Sequence, residues 1–466
     1  MKKHSIYKLS TIPVLLLSLQ SCFVAKDYSR PEIIEESSYR TDQISEDSLN
    51  MAEVSWREIF TDPNLQAYIE EGLVNNLDIR IALQQVEAAN AYYHQGKAAY
   101  FPTLNGTGQV THQKLAGNSQ FGSLFDGSLT QYDLTGSLSW EADIWGKIRS
   151  NRKATEASYL QSVAAHQAVK TRLISSIASV YYQLLAFDEQ RIITEETIAN
   201  REYSLQTIKA LKEAGNVTEV GVKQTEAQLH TARALLIDIE MNIKLLENTL
   251  SILLGGAPQE IERSSMDQQT IQTDLGVGYP AQLLRNRPDV IAAEYGLVNA
   301  FELTNVAKSN FYPSLGISAS GGFQSLQLDQ LLSVNSLFAT TIGSLTQPIF
   351  NGRRIRTQYE VAQSQQEIAY LDFKQALLNA SKEVSDAIYA YEAAGEKIEV
   401  KTLEFEAYDI ATEYSEELLN NGFANYLEVL TARENALRSE LDLINARYSR
   451  MNSVVELYRA LGGGWQ

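Results

Sequence analysis

Most of this chain sets its apolar residues three and four apart, the spacing of helices with one buried stripe, but four short stretches alternate instead. In "KSNFYPSLGISASGG", residues 308–322, helix formers run up to Lys308. After Pro313, Leu315, Ile317, Ala319 and Gly321, with Phe323 beyond, interleave with small or polar residues. "KAAYFPTLNGTGQV", residues 97–110, makes the same change at Pro102. Pro102 and Pro313 therefore read as helix-to-strand switches. A second strand follows each. "YDLTGSLSWEADI" puts Tyr132, Leu134, Gly136, Leu138, Trp140 and Ala142 on one face and Asp133, Thr135, Ser137, Ser139 and Glu141 on the other. A weaker alternation runs through Leu337, Ala339, Thr341, Gly343 and Leu345.

The two switches belong to a tandem repeat. One fixed spacing sets Asp78 on Asp289, Lys97 on Lys308 and Pro102 on Pro313. A slightly shorter spacing then pairs "WGKIR" with "GRRIR", "LKEAG" with "LLNNG", and "LLGG" with "ALGG" to the end of each half. A repeat held this long governs the fold. Each half reads as helix, two strands, long helix, glycine turn, helix. The first repeat covers 62–256, with helices over roughly 62–99, 146–211 and 217–254 and strands near 103–112 and 131–144. The second covers 284–466, with helices over roughly 284–310, 353–417 and 425–461 and strands near 314–324 and 336–349. Residues 257–283 form a polar connection between them.

One apolar and one polar face over about ten residues fits a tilted barrel strand between lipid and water. A soluble antiparallel sheet alternates in the same way. Aromatic residues at the strand ends (Phe101, Trp140, Trp145, Phe311, Tyr312 and Phe350) favour the membrane. Four strands cannot close a barrel, and an open edge in lipid leaves backbone groups unpaired, so chains must pool their strands. The long helices need lateral partners as well, because 146–211 alone would run on the order of 100 Å. Seams with alternating steps of three and four supply them. They are Ala232, Leu236, Ile239, Ile243, Leu246, Leu250 and Leu253 in one repeat, and Leu437, Leu441, Ile444, Tyr448, Met451, Val455 and Tyr458 in the other. A two-stranded rod would show the same seams, but not the strands.

Composition sharpens the picture at the N-terminus. "MKKHSIYKLSTIPVLLLSLQSC" has a basic start and an apolar core, so 1–21 reads as a secretory signal peptide and 22–61 as the segment that follows it. "LQSC" resembles a bacterial lipobox with Cys22, the only cysteine, as the acylated residue. Phe23 follows where inner-membrane retention signals often have Asp, which favours the outer membrane. No run of about 18 apolar residues follows the signal. The net charge of -18 over 466 residues argues against a nucleic-acid partner.

Together, "CFVAKDYSRP", "WREIFTDPNLQAYIEEGLVNNLDIRIALQQVEAA", "LLRNRPDVIAAEYGLVNAFELTNVAKSNFYPSLGISASGG" and "TQPIFNGRRIR" resemble the outer-membrane efflux proteins, the TolC-like factors, and especially their lipoprotein branch. The resemblance implies a mainly α chain with a transmembrane β-barrel. Three chains would form a twelve-stranded barrel continued by a long α-helical coiled-coil tunnel. It also implies an exit duct of a tripartite efflux system, with a periplasmic adaptor and an inner-membrane pump as partners, and an outer-membrane location held by lipid. By the same resemblance Glu428 falls where an outer gate acid sits, and Thr431 where a second is common. In the first repeat Gly221 occupies a position often held by Asp, beside Glu219. Gly215, Asn216, Val217 and Thr218, with Gly422, Phe423, Ala424 and Asn425, form the hairpin tips where the family meets its adaptor.

Enzyme chemistry has no foothold in the sequence. There is no G-x-S-x-G, P-loop, H-E-x-x-H or cysteine pair, the five histidines are scattered, and no cofactor or metal is expected. A duct for protein secretion is the alternative within the class, and a non-conducting lipid-anchored periplasmic scaffold the alternative outside it.

Overall fold

The computed structural model describes residues 25–31, 51–116, 118, 122, 128–269 and 283–465. The signal peptide and Cys22 lie outside the described residues. The repeated order holds. The first repeat runs α1 (Trp56–Ile59), α2 (Pro63–Asn75), α3 (Leu77–Ala98), β1 (Thr103–Lys114), β2 (Ser128–Ala142), α4 (Lys147–Glu213) and α5 (Glu219–Leu253). The second runs α6 (Leu283–Asn286), α7 (Pro288–Ser309), β3 (Ser314–Ser325), β4 (Leu337–Thr346), α8 (Arg354–Asn420) and α9 (Tyr426–Leu461).

The unbroken opening helices expected over 62–99 and 284–310 are each broken, at corresponding places. Asn76 ends α2, and its Oδ1 accepts from Asp78 N at 2.9 Å and Ile79 N at 3.2 Å to start α3. Its Nδ2 donates to Leu253 O at 2.9 Å, the last residue of α5. In the second repeat Pro288 opens α7, and Arg287 before it donates to Ala460 O of α9 at 3.1 Å. Each break thus satisfies a carbonyl that the end of its repeat's last helix would leave unpaired. Those last helices close on Gly255 and Gly462, both left-handed at φ +80° and +91°. The paired bonds Gly255 N to Ile252 O and Gly256 N to Ser251 O, like Gly462 N to Arg459 O and Gly463 N to Tyr458 O, are Schellman caps.

The chain forms two compact units. The first gathers 25–31, 86–162 and 293–373 around a single antiparallel sheet in the order β1-β2-β3-β4. Cross-strand rows carry the alternation through all four strands. Leu104 faces Leu138, Leu138 faces Ala319 and Ala319 faces Thr341, with Gly106, Gly136, Gly321 and Ala339 forming the next row. The face these residues share is mostly apolar, with His112, Lys114, Ser128 and Thr130 at its far end, and much of it is open: Leu104 is 77% exposed, Val110 63% and Leu345 70%. The opposite face is Thr, Ser, Asn and Gln, apart from Asp133, Glu141, glycines, Leu129 at the far end of β2 and, on β4, Phe338 and Ile342. Residues 25–31 strap onto α7 and α4. Asn305 bonds both Lys26 N and Lys26 O, Arg30 forks onto Glu294 at 2.6 Å, and Asp27 pairs with Lys153.

The second unit gathers 51–85, 163–269, 283–292 and 374–465. Its core is Ile174, Ile177, Tyr181, Leu184 and Leu185 of α4 against Phe60, Leu65, Ile69 and Tyr458. Every residue of the two predicted seams is buried or half-buried. The connection after α5 is fixed to this core. Asp62, the N-cap of α2, accepts from Tyr181 Oη at 2.8 Å and Gln269 Nε2 at 2.7 Å, and contacts Ser264 Oγ. Arg263 joins Asp188 and Glu247.

Candidate functional site

The residues singled out in the sequence fall in two places: the sheet of the first unit and the hairpin ends of the second. At the base of the sheet α3 ends at Ala98, Pro102 precedes β1, and Pro313 precedes β3. Proline cannot donate to a continuing helix, and its fixed φ suits strand entry. The nearby carbonyls are met by indole groups. Trp140 Nε1 donates to Tyr100 O at 2.9 Å and Trp145 Nε1 to Pro313 O at 2.7 Å. Trp145 also lies against Tyr312, ring centroids 5.0 Å apart, and Phe311 is edge-on to Tyr359. Apolar bodies with satisfied polar tips are what a membrane boundary selects. No described helix is long and apolar enough to cross a membrane.

The hairpin turns are built alike. Gly215 and Gly422 are left-handed, φ +82° and +77°, and each closes its long helix with paired bonds (Gly215 N to Lys212 O and Asn216 N to Leu211 O; Gly422 N to Leu419 O and Phe423 N to Leu418 O). Asn216, Thr218 and Asn425 are exposed, Val217 and Ala424 half-buried, and Phe423 is 82% exposed. Asn425 caps α9: its Oδ1 accepts from Glu428 N, and its Nδ2 donates to Glu428 Oε1 at 2.9 Å. Glu428 is thus exposed and positioned by its own helix start. Thr431, one turn on and also exposed, donates to Leu427 O. Glu219 opens α5 and pairs with Lys212 at 2.6 Å, a hydrogen bond that, with the lysine's charge, holds its carboxyl below the usual range. A Cβ on Gly221 would lie 2.9 Å from Val217 Cγ1.

Polar ties between the helix pairs escaped the sequence reading. Thr225 Oγ1 of α5 bonds Tyr426 Oη of α9 at 3.2 Å. Arg201 of α4, nearly buried, donates to Gln228 O and pairs with Glu434 of α9 at 2.8 Å. Arg433 of α9 pairs with Glu416 of α8 at 2.7 Å and contacts Ser204 of α4. Nothing in residue spacing marks these arginines, because their partners are distant in sequence.

The sequence profile of the outer membrane efflux proteins matches residues 68–256 and 279–463. The cation efflux system protein CusC of Escherichia coli O6:H1 is 28% identical over 97% of both chains. The solvent efflux pump outer membrane protein SrpC of Pseudomonas putida is 28% identical over 98% of this chain and 99% of its own. Among solved structures, the outer-membrane channel OprN superposes with a TM-score of 0.88 at 24% identity, over 95% of this chain and 100% of that one, which speaks to the fold. The chain belongs to the outer membrane efflux protein family and serves as an outer-membrane efflux channel component.

Proposed function

We propose that three copies pool their sheets into a closed twelve-stranded barrel, continued by the helical tunnel, and act as a passive exit duct for small compounds. The observation that carries this is the sheet. Both edge strands, β1 and β4, lack a partner on one side among the described residues, and one face is mostly apolar, with Leu104, Val110 and Leu345 largely exposed. In hydrocarbon an unpaired edge costs several kcal/mol for each orphaned group, so closure through further copies is required. The smallest bacterial barrels have about eight strands, beyond what one chain supplies. CusC and SrpC are named for cation and solvent efflux, which favours small cargo over secreted protein. The duct performs no catalysis. An inner-membrane pump supplies the energy through a periplasmic adaptor seated at Gly215–Thr218 and Gly422–Asn425, and Glu428, Thr431, Glu219 and Gly221 line the gate. Acyl chains on Cys22 anchor the N-terminus to the outer membrane.

Crosslinking in mild detergent should give a trimer, and the purified trimer should conduct in planar bilayers. A conducting monomer would sink the strand count, and a trimer that never conducts would sink the duct.

A further inference from the structure

The polar face of the sheet is graded. Past Glu141, Gly316 and Ser344, which lie nearest the helices, the rows hold short side chains: Thr103, Ser139 and Ser318, then Asn105, Ser137, Ser320 and Thr340, then Thr107, Thr135 and Gly322. The exceptions, Phe338 and Ile342, are both on β4. At the end remote from Pro102 and Pro313 the side chains lengthen. Gln109 of β1 faces Asp133 of β2, which faces Gln324 of β3. These groups are organised. Gln324 Nε2 donates to Asp133 Oδ1 at 2.8 Å, Gln131 Nε2 reaches both Asp133 oxygens at 3.0 Å, and Gln109 Nε2 donates to Thr111 Oγ1. The other carboxylate on this face, Glu141, is paired with Lys147 at 3.0 Å. Asp133 has amide donors around it and, among the described residues, no cation.

We propose that Gln109, Gln131, Asp133 and Gln324 form a polar collar at the distal mouth of the barrel, where Asp133 makes exit selective for cations over anions. The collar rests on the trimeric duct proposed above, which gives one Asp133 per chain around a single lumen. The apolar face must meet lipid, so the opposite face meets water, and lumen residues set selectivity. Long amide side chains narrow the passage at this level, while the amide donors fix the direction of the carboxylate. Rings of carboxylates within low-dielectric walls attract cations and repel anions. Under the repeat the second-half counterpart of Asp133 is Thr340, so the charge enters once per chain.

The test uses the full chain carrying Cys22→Ser, with Gln324→Cys or Gln109→Cys as a single reactive thiol. Labelling rates are compared for a trimethylammonium-bearing and a sulfonate-bearing methanethiosulfonate. Both thiols should label, the cationic reagent faster, and adding Asp133→Asn should cut the rate ratio by roughly fivefold. Independently, Asp133→Asn alone should move the reversal potential in a salt gradient toward that of a non-selective pore. Labelling at neither position, or an unchanged ratio in a protein that conducts, overturns the collar and leaves the duct standing. A parent protein that does not conduct overturns both.

Discussion

Glu428 is held by Asn425 in a reciprocal cap at the start of α9. Glutamine serves that motif as well as glutamate, so Glu428→Gln removes charge while leaving the helix start intact. If Glu428 lines the gate, this variant should weaken cation preference and divalent-cation block several-fold, with an unchanged melting temperature. Thr431→Asp should strengthen both, by adding a carboxylate one turn further along α9. Single-channel reversal potentials and block curves read the outcome, and wild-type behaviour of both variants would leave Glu428 as a helix cap alone. A different carboxyl is under electrostatic stress inside the second unit. Burial pushes Glu440 above the ordinary glutamate range, and Glu196, Asp409 and Glu189 push it the same way. A raised carboxyl binds its proton more tightly in the folded than in the unfolded chain. Stability at this site is therefore present below the ordinary value of 4.5 and lost as pH rises through the raised one. Glu440→Gln should raise the melting temperature at neutral pH by about a degree or two, with the gap closing toward about pH 4. Equal melting curves at neutral pH would mean that a cation compensates the cluster.

At the level of elements, the glycine caps are predicted to differ in cost. Gly215, Gly255 and Gly462 all have positive φ, but only the last two are crowded: a Cβ on Gly255 or Gly462 would strike the backbone of Asn75 or Asn286. Gly215 has open space. Gly215→Ala should therefore cost about 1–2 kcal/mol, the left-handed penalty alone. Gly255→Ala and Gly462→Ala should cost about 2–4 kcal/mol, because overpacking adds to it. Thermal unfolding followed by circular dichroism ranks the three, and equal losses would refute the role of the crowded contact. The same caps show what was legible in sequence. "LKEAG" and "LLNNG" announced turns because glycine chemistry is local, and the strands were readable because a period of two cannot be mistaken for a helix over ten residues. The breaks at Asn76 and Arg287 went unread. The apolar spacing continues across them, and what fixes each break is a carbonyl far along the chain, Leu253 O or Ala460 O. The same holds for Arg201 and Arg433, whose partners no spacing rule connects.

For the whole molecule two anchors are proposed, acyl chains at Cys22 and the barrel itself. Labelled palmitate should enter the wild type and not Cys22→Ser, while trimers still form; equal labelling of both would remove the lipoprotein claim. The barrel anchor turns on which face of the sheet meets lipid, and β2 allows a direct comparison. Leu138 and Ser137 are neighbours in the middle of the strand, on opposite faces, with Leu138 in the apolar row and Ser137 in the polar one. An arginine facing lipid near mid-membrane costs about 2–4 kcal/mol, and a trimer carries the change three times. An arginine facing a water-filled lumen loses little of its hydration. Leu138→Arg should therefore abolish, or reduce about tenfold or more, the yield of membrane-embedded trimer. Ser137→Arg should assemble at wild-type yield and shift the pore toward anions. Trimer yield from outer-membrane extracts, followed by reversal potentials of whatever assembles, separates the cases. If Ser137→Arg were the variant that failed while Leu138→Arg assembled, the faces would be reversed, and the polar row with Asp133 could not line the path of export.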